Sequence, residues 1–186
     1  MFIRSERLFL RPGWPEDWRE LLSRIADEGV VKNLAKAPWP YTPDDARWFT
    51  SQPQHPRLPH FFITLPTANG PAELVGCVGL GEIDGEVELG YWIGRDYWGR
   101  GFATEAARAV LSLAKVLGHR ALVAGHFVDN PESGSVLRKI GFTQTGTLRQ
   151  RFSVARGEEV QSVEHRIALG EPSDCDDDGP DAMRVA

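Results

Sequence analysis

Hydrophobic and polar positions change period several times along this chain, and each change marks an element. Residues 7–11 (RLFLR) alternate charged with apolar side chains, as a strand with one buried face requires, and Pro12 stops them. Beyond Pro15, Trp18, Leu21, Leu22 and Ile25 recur at helical spacing, with Glu16 and Asp17 where a helix dipole favours acids. Gly29 closes that helix, and 30–34 form a short second helical piece. The prolines of 36–46 mark a loop, within which Thr42 caps a helix opening at Pro43 with Trp48 and Phe49 on its apolar face. Residues 51–59 are a second loop. Segments 60–65, 73–83 and 87–93 then read as strands of an antiparallel meander, joined by turns at 66–71 and Asp84-Gly85. Gly76, Gly79 and Gly81 in the middle strand anticipate a bulge or a close backbone approach.

After Gly101 the period becomes helical again. Ala103, Ala106, Ala107, Val110, Leu113, Ala114 and Leu117 share a stripe that Gly118 closes. Residues 120–127 are a strand, and the long crossover through the helix makes it parallel to the last strand of the meander. A turn at Asp129-Asn130-Pro131 leads into a short helix over 132–140, ended by Gly141. Two strands near 146–154 and 160–169 finish the fold, turning at Arg156-Gly157. This order of elements is α+β, with no internal repeat.

Composition narrows the function classes. At 186 residues and 41% hydrophobic, the chain suits one domain over 1–170 followed by a tail, 171–186, expected to be disordered. Six acids of that tail against Arg184 account for the whole net charge of −5, so the body is neutral. A neutral body argues against a nucleic-acid groove, which needs a clustered basic excess. Cys77 and Cys175 make no disulfide framework, and the first residues lack the apolar core of a signal peptide. With no apolar run near ~18 residues, no membrane span is expected, and a cytoplasmic protein is. His55, His60, His119 and His165 show no metal-ligand spacing, so no metal is expected.

The richest stretch chemically is Trp98-Gly99-Arg100-Gly101, which runs from a strand into a helix. A Gly-rich turn opening a helix aims unpaired N–H groups and the positive end of a dipole at one spot, an anion site. The same two glycines also suit a plain strand–helix corner. A dinucleotide fingerprint is excluded, because Thr104 stands at its third glycine and 118–124 contain no acid. No Gly-Lys-Ser/Thr of a Walker loop occurs.

Three separated motifs give this turn a context: SERLFLRP (5–12), RGFATEA (100–106) and DNPESGSVLRKIGF (129–142). Together, and over roughly 5–169, they resemble the GNAT superfamily of acetyl-CoA-dependent N-acetyltransferases, and within it the RimJ/RimL-like branch of ribosomal-protein alanine acetyltransferases. The resemblance implies a mixed, mostly antiparallel sheet with helices on both faces and a splayed parallel strand pair forming the acetyl-CoA cleft. It implies that backbone groups of Trp98, Gly99, Arg100, Gly101, Phe102, Ala103 and Thr104 hold the pyrophosphate, although Trp98 stands where the family pattern has Gln or Arg. The pantetheine arm would lie between the strands ending near Ile93 and Phe127, with Asn130 bonded to it. The family's proton-donating tyrosine is replaced by Leu137, and Tyr41, Tyr91 and Tyr97 all precede the short helix, so Ser133 becomes the candidate donor to the leaving thiolate.

On the acceptor side, Glu88 is the candidate base, acting through water from the face that also carries Gly90 and Trp92, with His126 as a second candidate. A backbone N–H near residues 91–93 would serve the oxyanion. The branch implies a protein or peptide N-terminal amine as acceptor. A small amine such as an aminoglycoside or polyamine, or a CoA-binding module without turnover, are the other readings. A monomer or homodimer without nucleic-acid or membrane partners is expected.

Overall fold

The alternating segments become eight strands: β1 (Ile3–Arg4), β2 (Phe9–Arg11), β3 (His60–Leu65), β4 (Glu73–Ile83), β5 (Glu86–Ile93), β6 (Ala121–Phe127), β7 (Thr143–Ser153) and β8 (Glu158–Ala168). The helical segments become α1 (Trp18–Ile25), α2 (Glu28–Val31), α3 (Pro43–Thr50), α4 (Phe102–Val116) and α5 (Pro131–Lys139). The structure, a computed structural model, describes residues 1–170, and the acidic tail expected to be disordered lies outside the described residues.

The strands form one sheet in the order β1-β2-β3-β4-β5-β6-β8-β7. All neighbours are antiparallel except β5 and β6, which are parallel as the crossover through α4 requires. One residue pair, Glu88 opposite Val123, registers these two strands. Each is nonetheless held along its length by its outer neighbour, β5 by β4 through Ile93 and β6 by β8 through Phe127. The strands therefore diverge beyond Glu88 while their own conformations stay fixed.

Helices cover the two faces separately. Phe102, Ala106, Ala107, Val110, Leu111 and Ala114 of α4 are buried against Val78, Leu80, Leu89, Ile93 and Leu122. On the other face Leu21, Ile25, Val30, Val31 and Ala46 pack on Phe62, Leu74 and Cys77. Cys77 is buried there, and burial pushes its thiol up to about 12, which makes it inert. Period-2 alternation on β5 thus sends Leu89, Tyr91 and Ile93 toward α4 and α5, and Glu88, Gly90 and Trp92 to the opposite face.

Several boundaries differ from the sequence expectation. β1 is two residues long and leaves no periodic signal. Gly29 lies inside α2, which the Asp27 side chain caps by accepting from Val30 N–H at 3.1 Å. A Cβ at Gly29 would sit 2.9 Å from both Arg95 and Asp27, so this glycine makes room for Arg95 rather than ending a helix. β7 begins at Thr143, ahead of the expected 146, because its register shifts between Gln144 and Leu148 where Gly146 takes φ +83°. In β4, by contrast, both anticipated features occur: a Cβ at Gly76 would lie 2.2 Å from the Trp92 carbonyl and one at Gly79 2.6 Å from His60, and Val75 is the bulged residue, since Ile63 pairs with Gly76 and Thr64 with Leu74.

Candidate active site

At the open end of the β5/β6 gap, Gly99 and Gly101 both take left-handed φ, +72° and +79°. Gly101 is the N-cap of α4 and no side chain caps that helix. The first-turn N–H groups of Phe102, Ala103 and Thr104 have no helical partner and converge with the dipole on one point. An acid in that first turn, Glu105, would oppose an anion if it stood free. It instead accepts from the Ser5 hydroxyl (2.7 Å), the Arg7 N–H (2.7 Å) and the Arg7 guanidinium (2.8 Å). Burial alone would raise its pKa, but these bonds more than offset that and hold the carboxyl below its usual range. Arg7 also donates to the Arg100 carbonyl at 3.0 Å, so the N-terminal segment braces the turn. The Arg100 guanidinium lies over the rings of Phe102 (4.7 Å) and Tyr97 (5.6 Å).

Trp98 has a part of its own. Its indole N–H donates to the Ile93 carbonyl at 2.6 Å, which fastens the turn to the end of β5. That carbonyl is thereby occupied. Gly94 N–H donates to Val75 of β4 (2.9 Å), and peptide groups alternate along a strand, so the N–H groups of Tyr91 and Ile93 face the gap. Across the gap, Asn130 caps α5 by accepting from Ser133 N–H at 3.3 Å. Its NH2 group remains to donate, so capping and ligand contact coexist at one residue.

Ser133 is not alone. The Tyr91 hydroxyl lies 2.9 Å from Ser133 Oγ and 3.1 Å from the Ser133 carbonyl. A tyrosine therefore does reach the short helix, from β5 rather than from the helix itself, which corrects the expectation drawn from chain order. Tyr91 precedes Ser133 by 42 residues, and only the β5–α5 packing brings the two together. Burial, slightly relieved by the Ser133 bond, pushes the Tyr91 hydroxyl up to about 12, so it stays protonated.

Glu88 lies on the opposite face, at the last registered pair of the gap. Its carboxylate accepts from Arg151 of β7 at 2.7 Å, and both side chains are half-buried. Gly90 and Gly81 beside it have open space where a Cβ would be. His126, the second base candidate, is excluded from this face. Its Nδ1 is 2.9 Å from the Phe127 carbonyl, and its Nε2 packs where a Cβ of Gly134 in α5 would come within 2.6 Å. Its ring lies 5.2 Å from that of buried His165, so this pair supports α5 rather than the acceptor.

A site with unpaired backbone N–H donors at its mouth, a gap between two fixed strands, and Glu88 and Ser133 on opposite faces of that gap fits acetyl-CoA. A profile described as the Acetyltransferase (GNAT) domain matches residues 7–143. The chain belongs to the GNAT acetyltransferase family. The uncharacterized N-acetyltransferase p20 of Bacillus licheniformis is 33% identical over 162 residues, 83% of this chain and 89% of its own. The ribosomal-protein-serine acetyltransferase of Escherichia coli is 32% identical over 82 residues, 42% of this chain and 46% of its own. The GNAT acetyltransferase structure from Bacillus anthracis superposes with TM-score 0.77 at 26% identity, covering 91% of this chain and 99% of that one. Spermidine N-acetyltransferase from Vibrio cholerae, in complex with CoA and spermine, shares the fold at 20% identity and TM-score 0.73, with 90% and 99% covered. This GNAT chain is an acetyl-CoA-dependent N-acetyltransferase. Among the described residues no group of three His, Cys, Asp or Glu side chains is placed to hold a metal ion, and no helix is long and apolar enough to cross a membrane.

Proposed function

We propose that this acetyltransferase modifies the α-amine of a protein or peptide N-terminus. The observation behind that choice is the charge on the acceptor face. Four of its acids are each matched by an arginine: Glu88 by Arg151 (2.7 Å), Glu164 by Arg149 (3.0 Å), Asp129 by Arg156 (2.8 Å) and Glu86 by Arg166. A polyamine carries two or more positive charges and needs free carboxylates along its length. This face offers none among these four. An α-amine, with its pKa near 7.7–8.0, asks only for a weak base.

In this reading the pyrophosphate rests on the first-turn N–H groups of α4, and the arm runs down the gap toward Glu88, about 16 Å of strand from Ile93. Asn130 donates to the arm, and the Tyr91 and Ile93 N–H groups stabilise the carbonyl oxygen as it gains charge. The amine attacks from the Glu88 face. As its N–C bond forms, Glu88 takes the amine proton through water, and as the C–S bond breaks, Ser133 donates a hydrogen bond to the sulfur on the α5 face, which leaves as the thiolate and takes its proton from solvent. Tyr91 holds Ser133 in that orientation by donating to it.

Thiol release from acetyl-CoA over a panel of N-terminal peptides, aminoglycosides and polyamines tests this. Turnover confined to α-amines is expected, with thermal stabilisation by acetyl-CoA of about 2.7 kcal/mol at a hundredfold excess over Kd. Stabilisation without thiol release on any amine would make the protein a CoA-binding module instead, and turnover of polyamines alone would overturn the acceptor.

A further inference from the structure

We propose that Arg151 recognises the acceptor, donating to the carbonyl oxygen of its first residue, so that the substrate class is an amine with a carbonyl on the adjacent carbon. This rests on the α-amine reading above.

The guanidinium of Arg151 is placed and equipped for that role. It extends from β7 over β8 and β6 to Glu88 of β5 and passes over Gly125, where a Cβ would touch Arg151 Nη1 at an ordinary 3.6 Å. Of its five N–H donors, a single bond, Nη2 to Glu88 Oε1 at 2.7 Å, is made among the described residues. Arg166 likewise makes a single bond, to Glu86, but its side chain is 52% exposed, and the other neighbouring arginines are more fully bonded. Arg149 bonds both Asp84 and Glu164, and Arg156 bonds both oxygens of Asp129 and the Lys32 carbonyl. Arg151 is also less solvent-exposed than Arg149, 24% against 47% of its side chain. A half-buried guanidinium with free donors, next to the base that serves the attacking nitrogen, is set to bond what that nitrogen is attached to.

The chemistry of the two acceptor classes separates here. In an α-amine the carbonyl oxygen lies one carbon beyond the α-carbon, on the side of the nitrogen away from the thioester. In a polyamine that position is a methylene, followed by another ammonium that a guanidinium repels. A fixed positive charge also favours the neutral form of the incoming amine. That form is about 300-fold scarcer at neutral pH for an alkylamine of pKa near 10.4 than for an α-amine.

The test uses acetyl-CoA with an N-terminal peptide, the same peptide with its first carbonyl reduced to a methylene, and spermidine. Rates are compared per neutral amine across pH 7–9.5. The wild-type enzyme is expected to prefer the peptide over its reduced analogue by about 10–100-fold, the size of a hydrogen bond to a charged group. Arg151→Gln is expected to shrink that preference to within about threefold, whatever it does to the absolute rate through Glu88. Arg151→Lys, which keeps the charge beside Glu88, supplies the same ratio if the glutamine variant does not fold, and should give an intermediate preference. Thermal stabilisation by acetyl-CoA verifies the fold of each. Peptide acetylation with the same preference in wild type and both variants, or with no preference in wild type, overturns the role of Arg151 and leaves the α-amine reading standing. Acetylation of spermidine with none of the peptide overturns both.

Discussion

The two sides of the β5/β6 gap are built from different materials. The donor side is made mostly of backbone: unpaired N–H groups at the start of α4 and N–H groups on the open edge of β5, joined by the side-chain amide of the cap residue Asn130. The acceptor side is made of side chains that come from strands far apart in sequence, with Glu88 of β5 held by Arg151 of β7. Backbone donors depend on φ angles and on the absence of side chains, so they tolerate changes in the residues around them. A surface made of side chains can be replaced one residue at a time. That contrast fits a family whose members share one donor and differ in acceptor.

If the contrast holds, substitutions should divide the kinetic constants between the two sides. The largest effect is expected at Glu88→Gln, which removes the base and keeps the shape: kcat should fall about 10²–10⁴-fold, with acetyl-CoA stabilising the variant as it does wild type. A fall of less than threefold would mean that Glu88 serves only to hold Arg151. Ser133→Ala should lower kcat by about 10–100-fold with the KM for acetyl-CoA nearly unchanged, and Tyr91→Phe should give a smaller fall of the same pattern, because it loosens Ser133 without removing it. Equal loss of kcat and of acetyl-CoA affinity in either variant would mark the pair as a structural bridge between β5 and α5.

The same contrast explains what was legible in the sequence. The turn at 98–104 and the cap at Asn130 are local, and their chemistry can be read from consecutive residues. The meander and the parallel crossover follow from alternation and loop length, since each depends on neighbours in sequence. Tyr91 escaped because its partner lies 42 residues on, and order along the chain says nothing about which side chain crosses a gap. Arg151 escaped for the same reason: it reads as a charged position on an edge strand, and its meeting with Glu88 depends on the order β5-β6-β8-β7, in which the last strands are exchanged. His126 stood near the gap in sequence, and the strand's alternation turns it to the α5 face, where it takes the structural part that a lone strand histidine more often has.

A smaller effect should come from the turn itself. A Cβ at Gly101 would make only an ordinary contact, 3.5 Å from Arg7, so Gly101→Ala is not blocked by space. The difficulty is its φ of +79°, where an L side chain costs about 1–2 kcal/mol. Relief of that strain should turn the first N–H groups of α4 away from their common point. The expected result is a KM for acetyl-CoA raised about tenfold with the KM for the amine unchanged. A change in the amine KM alone would place the glycine on the wrong side of the comparison.

The smallest effect tests the one place where the donor side depends on a side-chain network, the bracing of α4 by Ser5, Arg7 and Glu105. Arg7 is partly exposed, its side chain at 45%, so solvent screening limits the contribution, and Glu105→Gln should cost about 1 kcal/mol near pH 7, or about 2–4 °C in Tm. The sign with pH follows from the depressed pKa. A carboxyl held below its unfolded value stabilises the fold fully above that unfolded value, near 4.3, and the stabilisation is lost as pH falls through the folded one. Glutamine has no such dependence, so the wild-type and variant Tm curves should run parallel from pH 7 to about 5 and converge below about 4. A gap that persists or widens in acid would show that Glu105 braces the helix by shape rather than by charge. The donor side would then rest on packing as well as backbone.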